Sequence, residues 1–208
     1  MFGGQSSIPV VFCSAVFNGL NTDAHHSDRP YPMFMNIPGL KVIAPTSAAD
    51  AKGLLRTAVD CNDPVLMFET VLLWGQKEEV EDDAYWIPFG QAHIRRDGTD
   101  VTVVAISGAV PLALKAAEIM AAEGVSVEVI DPRTLVPLDS KTIVNSVMRT
   151  GRLVVTEPAP RTCGAAAKIA AIVATEAHSA RRWRARCTPP PNASSRPSGP
   201  SAPLDRTL

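Results

Sequence analysis

The chain has 208 residues, 46% hydrophobic and 20% charged, a balance that suits one or two globular domains and excludes a wholly disordered, collagen-like or coiled-coil chain. Its apolar runs, such as 101–106, are far shorter than a membrane span, so no membrane partner is expected. The net charge of −1 hides an uneven distribution, because residues 177–208 hold six arginines against one acid, Asp205.

Residues 8–15 (IPVVFCSA) are apolar and β-branched, which predicts a buried strand. A loop rich in Asn, Asp, His and Gly follows over 18–39. Residues 40–44 predict a second short strand, closed by Pro45. Ser47 is placed to cap a helix running to Val59, with Asp50 in its first turn and Ala51, Leu54, Leu55 and Ala58 on one apolar face. Pro64 opens a third strand over 65–69, completing an αβ unit of a parallel sheet.

Residues 71–89 have weak periodicity and read as an exposed linker, whose acidic run Glu78–Asp83 precedes Trp86, Ile87 and Pro88. After it the alternation is regular. A strand over 101–106 leads to a helix with Pro111 in its first turn, burying Val110, Ala113, Leu114, Ala117 and Met120 and exposing Lys115, Glu118 and Glu123. Gly124 stops this helix, and 125–130 is the next strand. Asp139 caps a helix with Ile143, Val144 and Val147 inward, 153–156 is a strand, and 164–177 is a helix of small residues. Strands and helices in this alternation require parallel pairing through right-handed crossovers. The fold class is therefore α/β, with open, mostly parallel sheets and flanking helices.

The tail 177–208 carries six of the eighteen prolines and no apolar periodicity, so it is expected to be disordered. Trp183 apart, it lacks the aromatics of a nucleic-acid arm, and no nucleic-acid partner is expected. Four cysteines, at 13, 61, 163 and 187, show no metal-ligand spacing, and the first residues lack a secretory pattern; a reducing, cytoplasmic-type compartment is expected.

Open parallel sheets bind ligands at the carboxyl ends of their strands. Three segments qualify: 21–30 with its imidazoles, 130–139, and 157–164 before the last helix. Neither a glycine-rich phosphate loop nor a helical zinc signature occurs. His25, His26 and Asp28 point apart along one loop and lack a fourth ligand, and Ser27 beside His26 has no nucleophile elbow. Cys163 is either a thiolate at a helix N-terminus or an inert small hydrophobe. On these grounds alone the residues name no reaction.

Read together, Met1 to Gln5, His26-Ser27, Pro38-Gly39-Leu40-Lys41-Val42, Ala44-Pro45, Asp50 to Leu55, Asn62-Asp63-Pro64-Val65 and Asp131 to Asp139 resemble, in order, β subunits of the decarboxylating component of 2-oxoacid dehydrogenase complexes. This is a transketolase-like group that uses thiamine diphosphate. The resemblance runs from residue 1 to about 176. It implies the C-terminal part of a pyrimidine-binding domain over 1–70, a linker over 71–89, a truncated transketolase C-terminal-type domain over 90–176 and an aberrant tail over 177–208. It also implies oxidative decarboxylation of a pyruvate-like 2-oxo acid with acyl transfer to lipoamide. The implied partners are an α subunit that mainly holds the diphosphate and Mg²⁺, a second β subunit and a lipoyl acyltransferase core.

Carried over by position, the resemblance makes His26 the histidine that faces the reacting carbons, as proton donor or carboxylate anchor, a task that suits an imidazole. Without it, a hydrogen-bonded loop histidine is the plainer reading. His25 stands where glutamine is common and receives no role. The segment Ala58–Asp63 matches a potassium-binding turn, which implicates Ala58, Cys61 and Asp63. Arg133 is expected to be buried, satisfying backbone carbonyls.

Members of the group run about a hundred residues further upstream, a domain-sized piece. There they carry the glutamate that polarises the aminopyrimidine, and neither Glu69 nor Glu157 matches it. The switch after Glu176 into Arg, Pro, Ser and Ala is what a reading-frame shift in GC-rich DNA would give. The chain is thus expected to be an enzyme subunit fragment, inactive by itself. The alternatives are an inactive assembly or binding module and a non-functional frameshifted fragment.

Overall fold

Two four-stranded sheets organise the described residues, 6–17, 23 and 26–177, of the computed structural model. The expectations for His25 and for the tail beyond residue 177 lie outside the described residues.

The first sheet takes β1 (Val11–Val16), β2 (Lys41–Ile43) and β3 (Val65–Thr70) from the first half of the chain and β7 (Thr134–Val136) from the second, in the order β1-β3-β2-β7. β1 and β2 both run parallel to β3, with Val11 and Lys41 each in register with Val65, and β7 is antiparallel to β2. Two short helices of very different weight accompany it, α1 (Tyr31–Phe34) and α2 (Ala48–Val59). Ser47 caps α2 as its sequence position requires, its hydroxyl accepting the Asp50 N–H at 3.1 Å. Leu54 and Ala58 are buried against Ile43, Val65 and Met67. Leu55 is not: it is exposed, and Gly53 and Asp50 take the inward positions instead. The expected face was rotated because Asp50, a residue normally left in water, is drawn in by two arginines described below.

β1 is also not the buried strand its composition suggests. It lies at the sheet edge, and Phe12 is 55% exposed and Ile8 52%. An apolar run states that a strand can be covered, not that both of its faces are. The expected loop 18–39 contains α1, whose Tyr31 is fully buried.

The second sheet consists of β4 (His93–Arg96), β5 (Val101–Ala105), β6 (Val127–Asp131) and β8 (Leu153–Thr156), in the order β4-β6-β5-β8. β5 pairs parallel with both β6 and β8, as expected, and β4 adds an antiparallel edge that its polar sequence conceals. α3 (Val110–Ala122) covers one face with Val110, Ala113 and Ala117. α4 (Ser140–Thr150) and α5 (Ala165–Glu176) cover the other with Ile143, Val144, Val147, Ile169 and Val173. Asp139 caps α4 through the Thr142 N–H at 3.1 Å, and Gly151 ends it at φ 73°, where a Cβ would be strained.

One core joins the two sheets. Val42, Phe68 and Tyr31 from the first pack with Val104, Ile130, Leu135, Ile143 and Ile169. The segment 71–89 is no free linker either: it straps α2, with Tyr85 Oη donating to Ala49 O at 2.8 Å, Ile87 N to Gly53 O at 3.2 Å and Thr57 Oγ1 to Ile87 O at 2.8 Å.

Candidate functional site

Two of the three expected ligand segments meet. A cavity of about 400 Å³ is lined by Asp28, Arg29 and Pro30 from the first, by Pro32, Met33 and Asn36 just beyond it, and by Pro160, Thr162 and Cys163 from the third. His26 stands just ahead of the lining residues, exposed, with its ring 5.3 Å from that of Phe17 and its N–H on Asp23 O at 2.8 Å. Phe17 follows the end of β1, so the imidazole lies at the carboxyl end of a parallel strand, where such sheets present ligands.

Tyr31 fixes the C-terminal root of this loop. Its ring is 1% exposed and packs edge-on to Phe68 at 6.1 Å, and its hydroxyl donates to Glu157 Oε2 at 2.7 Å. Burial, and then the Glu157 carboxylate, push the Tyr31 phenol far above its usual range, so it remains a donor. Glu157 in turn accepts the N–H groups of Ala165 at 3.1 Å and Ala166 at 2.7 Å, the first turn of α5. Sequence reading gave Tyr31 no role. The signal that could have found it was a pair of aromatics three residues apart, Tyr31 and Phe34, in a polar, proline-rich loop.

The remaining segment, 130–139, does not line the cavity. It forms β7 and a buried ionic clasp. Asp50 of α2, 3% exposed at its side chain, accepts Arg133 Nη1 at 3.0 Å and is also paired with Arg95 Nη2. Arg95 binds Asp131 Oδ2 through Nε at 3.1 Å and Nη2 at 2.8 Å. Burial pushes the Asp131 carboxyl up, and Arg95 opposes it. Arg133 sits at φ 58° with its N–H on Asp131 Oδ1 at 3.0 Å, and its guanidinium donates twice to Gln91 O, at 2.8 and 3.2 Å. The expectation of a buried arginine on backbone carbonyls therefore describes Arg133, with a carboxylate added. Its role is to join α2 to the second sheet.

In the turn 58–63, Ala58 O accepts the N–H of Cys61 at 3.2 Å and Asp63 pairs with Lys41 at 3.1 Å. Cys13 and Cys163 are exposed free thiols, and burial followed by Glu69 raises the Cys13 thiol. Among the described residues, no group of three or more His, Cys, Asp and Glu stands where it could hold a metal ion, and no helix is long and apolar enough to cross a membrane.

Comparison with known proteins agrees with this architecture. Residues 1–75 match the family described as transketolase, pyrimidine binding domain, and residues 90–197, more than half the chain, match transketolase, C-terminal domain. The chain is 45% identical over 192 residues to the acetoin:2,6-dichlorophenolindophenol oxidoreductase subunit beta of Cupriavidus necator, covering 92% of this chain and 57% of that one. It is 43% identical over 177 residues to the pyruvate dehydrogenase E1 component subunit beta of Rickettsia felis, covering 85% and 54%. The chain thus spans little more than half the length of these relatives. Among solved structures it is similar to a split-gene transketolase in an inactive beta4 tetramer, with TM-score 0.71, 25% identity and coverage of 82% and 55%.

Proposed function

Because the chain belongs to the transketolase family, with pyrimidine-binding sequence ahead of C-terminal-domain sequence, we propose that it acts as a β-type subunit in oxidative decarboxylation of a pyruvate-like 2-oxo acid with acyl transfer to lipoamide. Its partners in this reading are an α subunit, a second β subunit and a lipoyl acyltransferase core, in a cytoplasmic-type compartment that leaves exposed thiols such as Cys163 reduced. Residues 1–70 are the pyrimidine-side part, 71–89 the strap and 90–176 the C-terminal-type domain. The observation that carries the reading is the meeting of the His26 loop with the 157–164 segment at strand ends, in a chain bearing both family domains in order.

The residues present suit one end of the cofactor. Pro30, Pro32, Met33 and Pro160 offer apolar surface to a flat ring, with polar Asn36 and Thr162 beside them. The diphosphate and its Mg²⁺ are assigned to the α subunit; among the described residues no group of three or more His, Cys, Asp and Glu stands where it could hold the metal. When bound, thiamine diphosphate supplies the electron sink for the carbanion. His26, exposed in the same loop and beside Phe17 at the end of β1, is the residue of this chain that delivers a proton or holds the substrate carboxylate. K⁺ is assigned to the turn through Ala58, Cys61 and Asp63, where the Ala58 carbonyl already accepts the N–H groups of Asp60 and Cys61 and would have to give up one of them to the ion.

A second reading, an assembly module without turnover, is favoured by one observation: Glu157, the carboxylate beside the cavity, is committed to Tyr31 and to α5. One experiment separates the two. The full chain is mixed with an α subunit, thiamine diphosphate and Mg²⁺, and complex formation and 2-oxo acid decarboxylation are followed together. The first reading expects a complex that turns over, and the second a complex that does not. Turnover would remove the second reading, and absence of any complex would remove both.

A further inference from the structure

The geometry points to Glu157 as the positioning residue of the His26 loop, acting through Tyr31. This rests on the reading of His26 given above. Glu157 is held from one side only by backbone: the N–H groups of Ala165 and Ala166 fix its two oxygens at the start of α5. Gly164 leaves the room this needs, because a Cβ there would lie 2.3 Å from Glu157 Oε1 and 2.7 Å from Pro160 O. The carboxylate so fixed is the acceptor for Tyr31 Oη at 2.7 Å, a bond between residues 126 positions apart.

Packing alone does not require that bond. Phenylalanine would fill the space beside Phe68, and a glutamate on two helix N–H groups caps α5 with or without a phenol. What the hydroxyl adds is a tie between the two segments that line the cavity, 28–36 and 160–163. Tyr31 opens α1 immediately after Pro30, so the segment from His26 to Pro30 hangs from this anchor at its C-terminal end. Its N-terminal end leaves β1 beyond Phe17, where the imidazole already rests against the Phe17 ring. Contacts inside the loop include Ser27 Oγ on Asp23 O at 3.2 Å and Arg29 Nη1 on Asp28 O at 3.2 Å. Such contacts fix a loop's shape, whereas the packing of Tyr31 on Phe68 and its bond to Glu157 tie the loop's root to the scaffold, and the bond alone ties it to the 157–164 segment.

The test uses the full chain and two variants, Tyr31→Phe and Glu157→Gln. The His26 imidazole is observed by proton–carbon NMR, its signal assigned by its loss in His26→Gln, and amide exchange is compared over 26–34 and over 143–147 in α4. In Tyr31→Phe the His26 signal should shift and broaden, and exchange over 26–34 should quicken about three- to tenfold, the worth of one hydrogen bond. Exchange over 143–147 should stay unchanged. Glu157→Gln, which keeps the shape but weakens the acceptor and the cap, should move the His26 signal in the same direction. Should it fail to fold, Tyr31→Phe, which removes a single oxygen, decides. An unmoved His26 signal in a folded variant would overturn the assignment, as would quickening spread evenly over both segments. Neither readout involves thiamine diphosphate or turnover. The positioning role and the catalytic reading of His26 can therefore fail independently.

Discussion

Replacing Asp50 by asparagine should damage this protein well beyond what an isosteric change in the first turn of a helix usually does. The side chain is 3% exposed and meets two guanidinium groups, those of Arg133 and Arg95, which are 9% and 15% exposed. Asparagine keeps the volume and one acceptor oxygen but removes the charge, leaving the buried Arg133 with neutral acceptors, Gln91 O at 2.8 and 3.2 Å among them. Breaking a buried pair from one side costs about 3–5 kcal/mol. Arg95 retains Asp131 Oδ2 at 2.8 Å, so the lower end applies, about 3 kcal/mol. For a chain of this size each kcal/mol moves the midpoint by about 2–4 °C, which gives a fall of about 6–12 °C. Thermal unfolding by circular dichroism measures it, with guanidinium titration to show that the midpoint moves and the slope does not. The double variant Asp50→Asn with Arg133→Met removes both partners and should cost about 1–3 kcal/mol less than the sum of the single changes. A fall under about 2 °C, or strict additivity in the double variant, would refute the claim that this clasp joins the sheets.

Other tests reach other parts of the molecule. Burial, and then the Arg95 and Arg133 cations, hold the His93 imidazole below its ordinary value. A depressed folded pKa means that the unfolded chain takes up the proton first. The stability that neutral His93 contributes is thus complete above about pH 6.5 and is lost as the pH falls through the folded value. Melting midpoints measured from pH 7 to 5 should decline, and His93→Gln should flatten that decline; an unchanged slope would count against it. Gly53→Ala should destabilise by about 1–3 kcal/mol although alanine is the better helix former. The new Cβ would come within 2.6 Å of Ile87 and 2.7 Å of Tyr85, and limited proteolysis should then cut the 71–89 strap faster. His26→Ala, at an exposed position, should leave stability within about 0.5 kcal/mol, while the matching change in a full-length relative should lower its activity. Equal losses of stability and activity would favour a structural histidine.

What could be read from the residues was what local rules decide. Ser47 and Asp139 cap α2 and α4 because a side chain reaching an N–H three residues on is a local event. β5, β6 and β8 are parallel because the helices between them leave no other short connection. The misreadings are all non-local. β4 and β7 are short and antiparallel, and nothing in their own residues names the strand that will receive them. Leu55 turned outward because Asp50 turned inward, toward arginines 45 and 83 positions away. His26 came from resemblance, not from chemistry visible along the chain. Its supporting residues, Tyr31 and Glu157, lie on opposite halves of the sequence and acquire a shared meaning only when folded.

This placement has a consequence for where the function resides. Several ties cross between the halves, among them β7 beside β2 in the first sheet, Asp50 on Arg133 and Arg95, the buried pair of Thr70 Oγ1 and Ser107 Oγ at 2.6 Å, and Tyr31 on Glu157. Leu135 of β7, 1% exposed, shares its core with Val42 and Phe68 of the first sheet, so residues 90–177 without that sheet would lose part of this cover together with the carboxylate that pairs Arg133. The cavity is lined from both halves, and His26 precedes its first lining residue, Asp28, by two positions in the loop. The position of the imidazole relative to Pro160 and Thr162 is therefore a property of the joint between the halves. A change at the clasp, far along the sequence from residue 26, acts on the same geometry as a change in the loop itself.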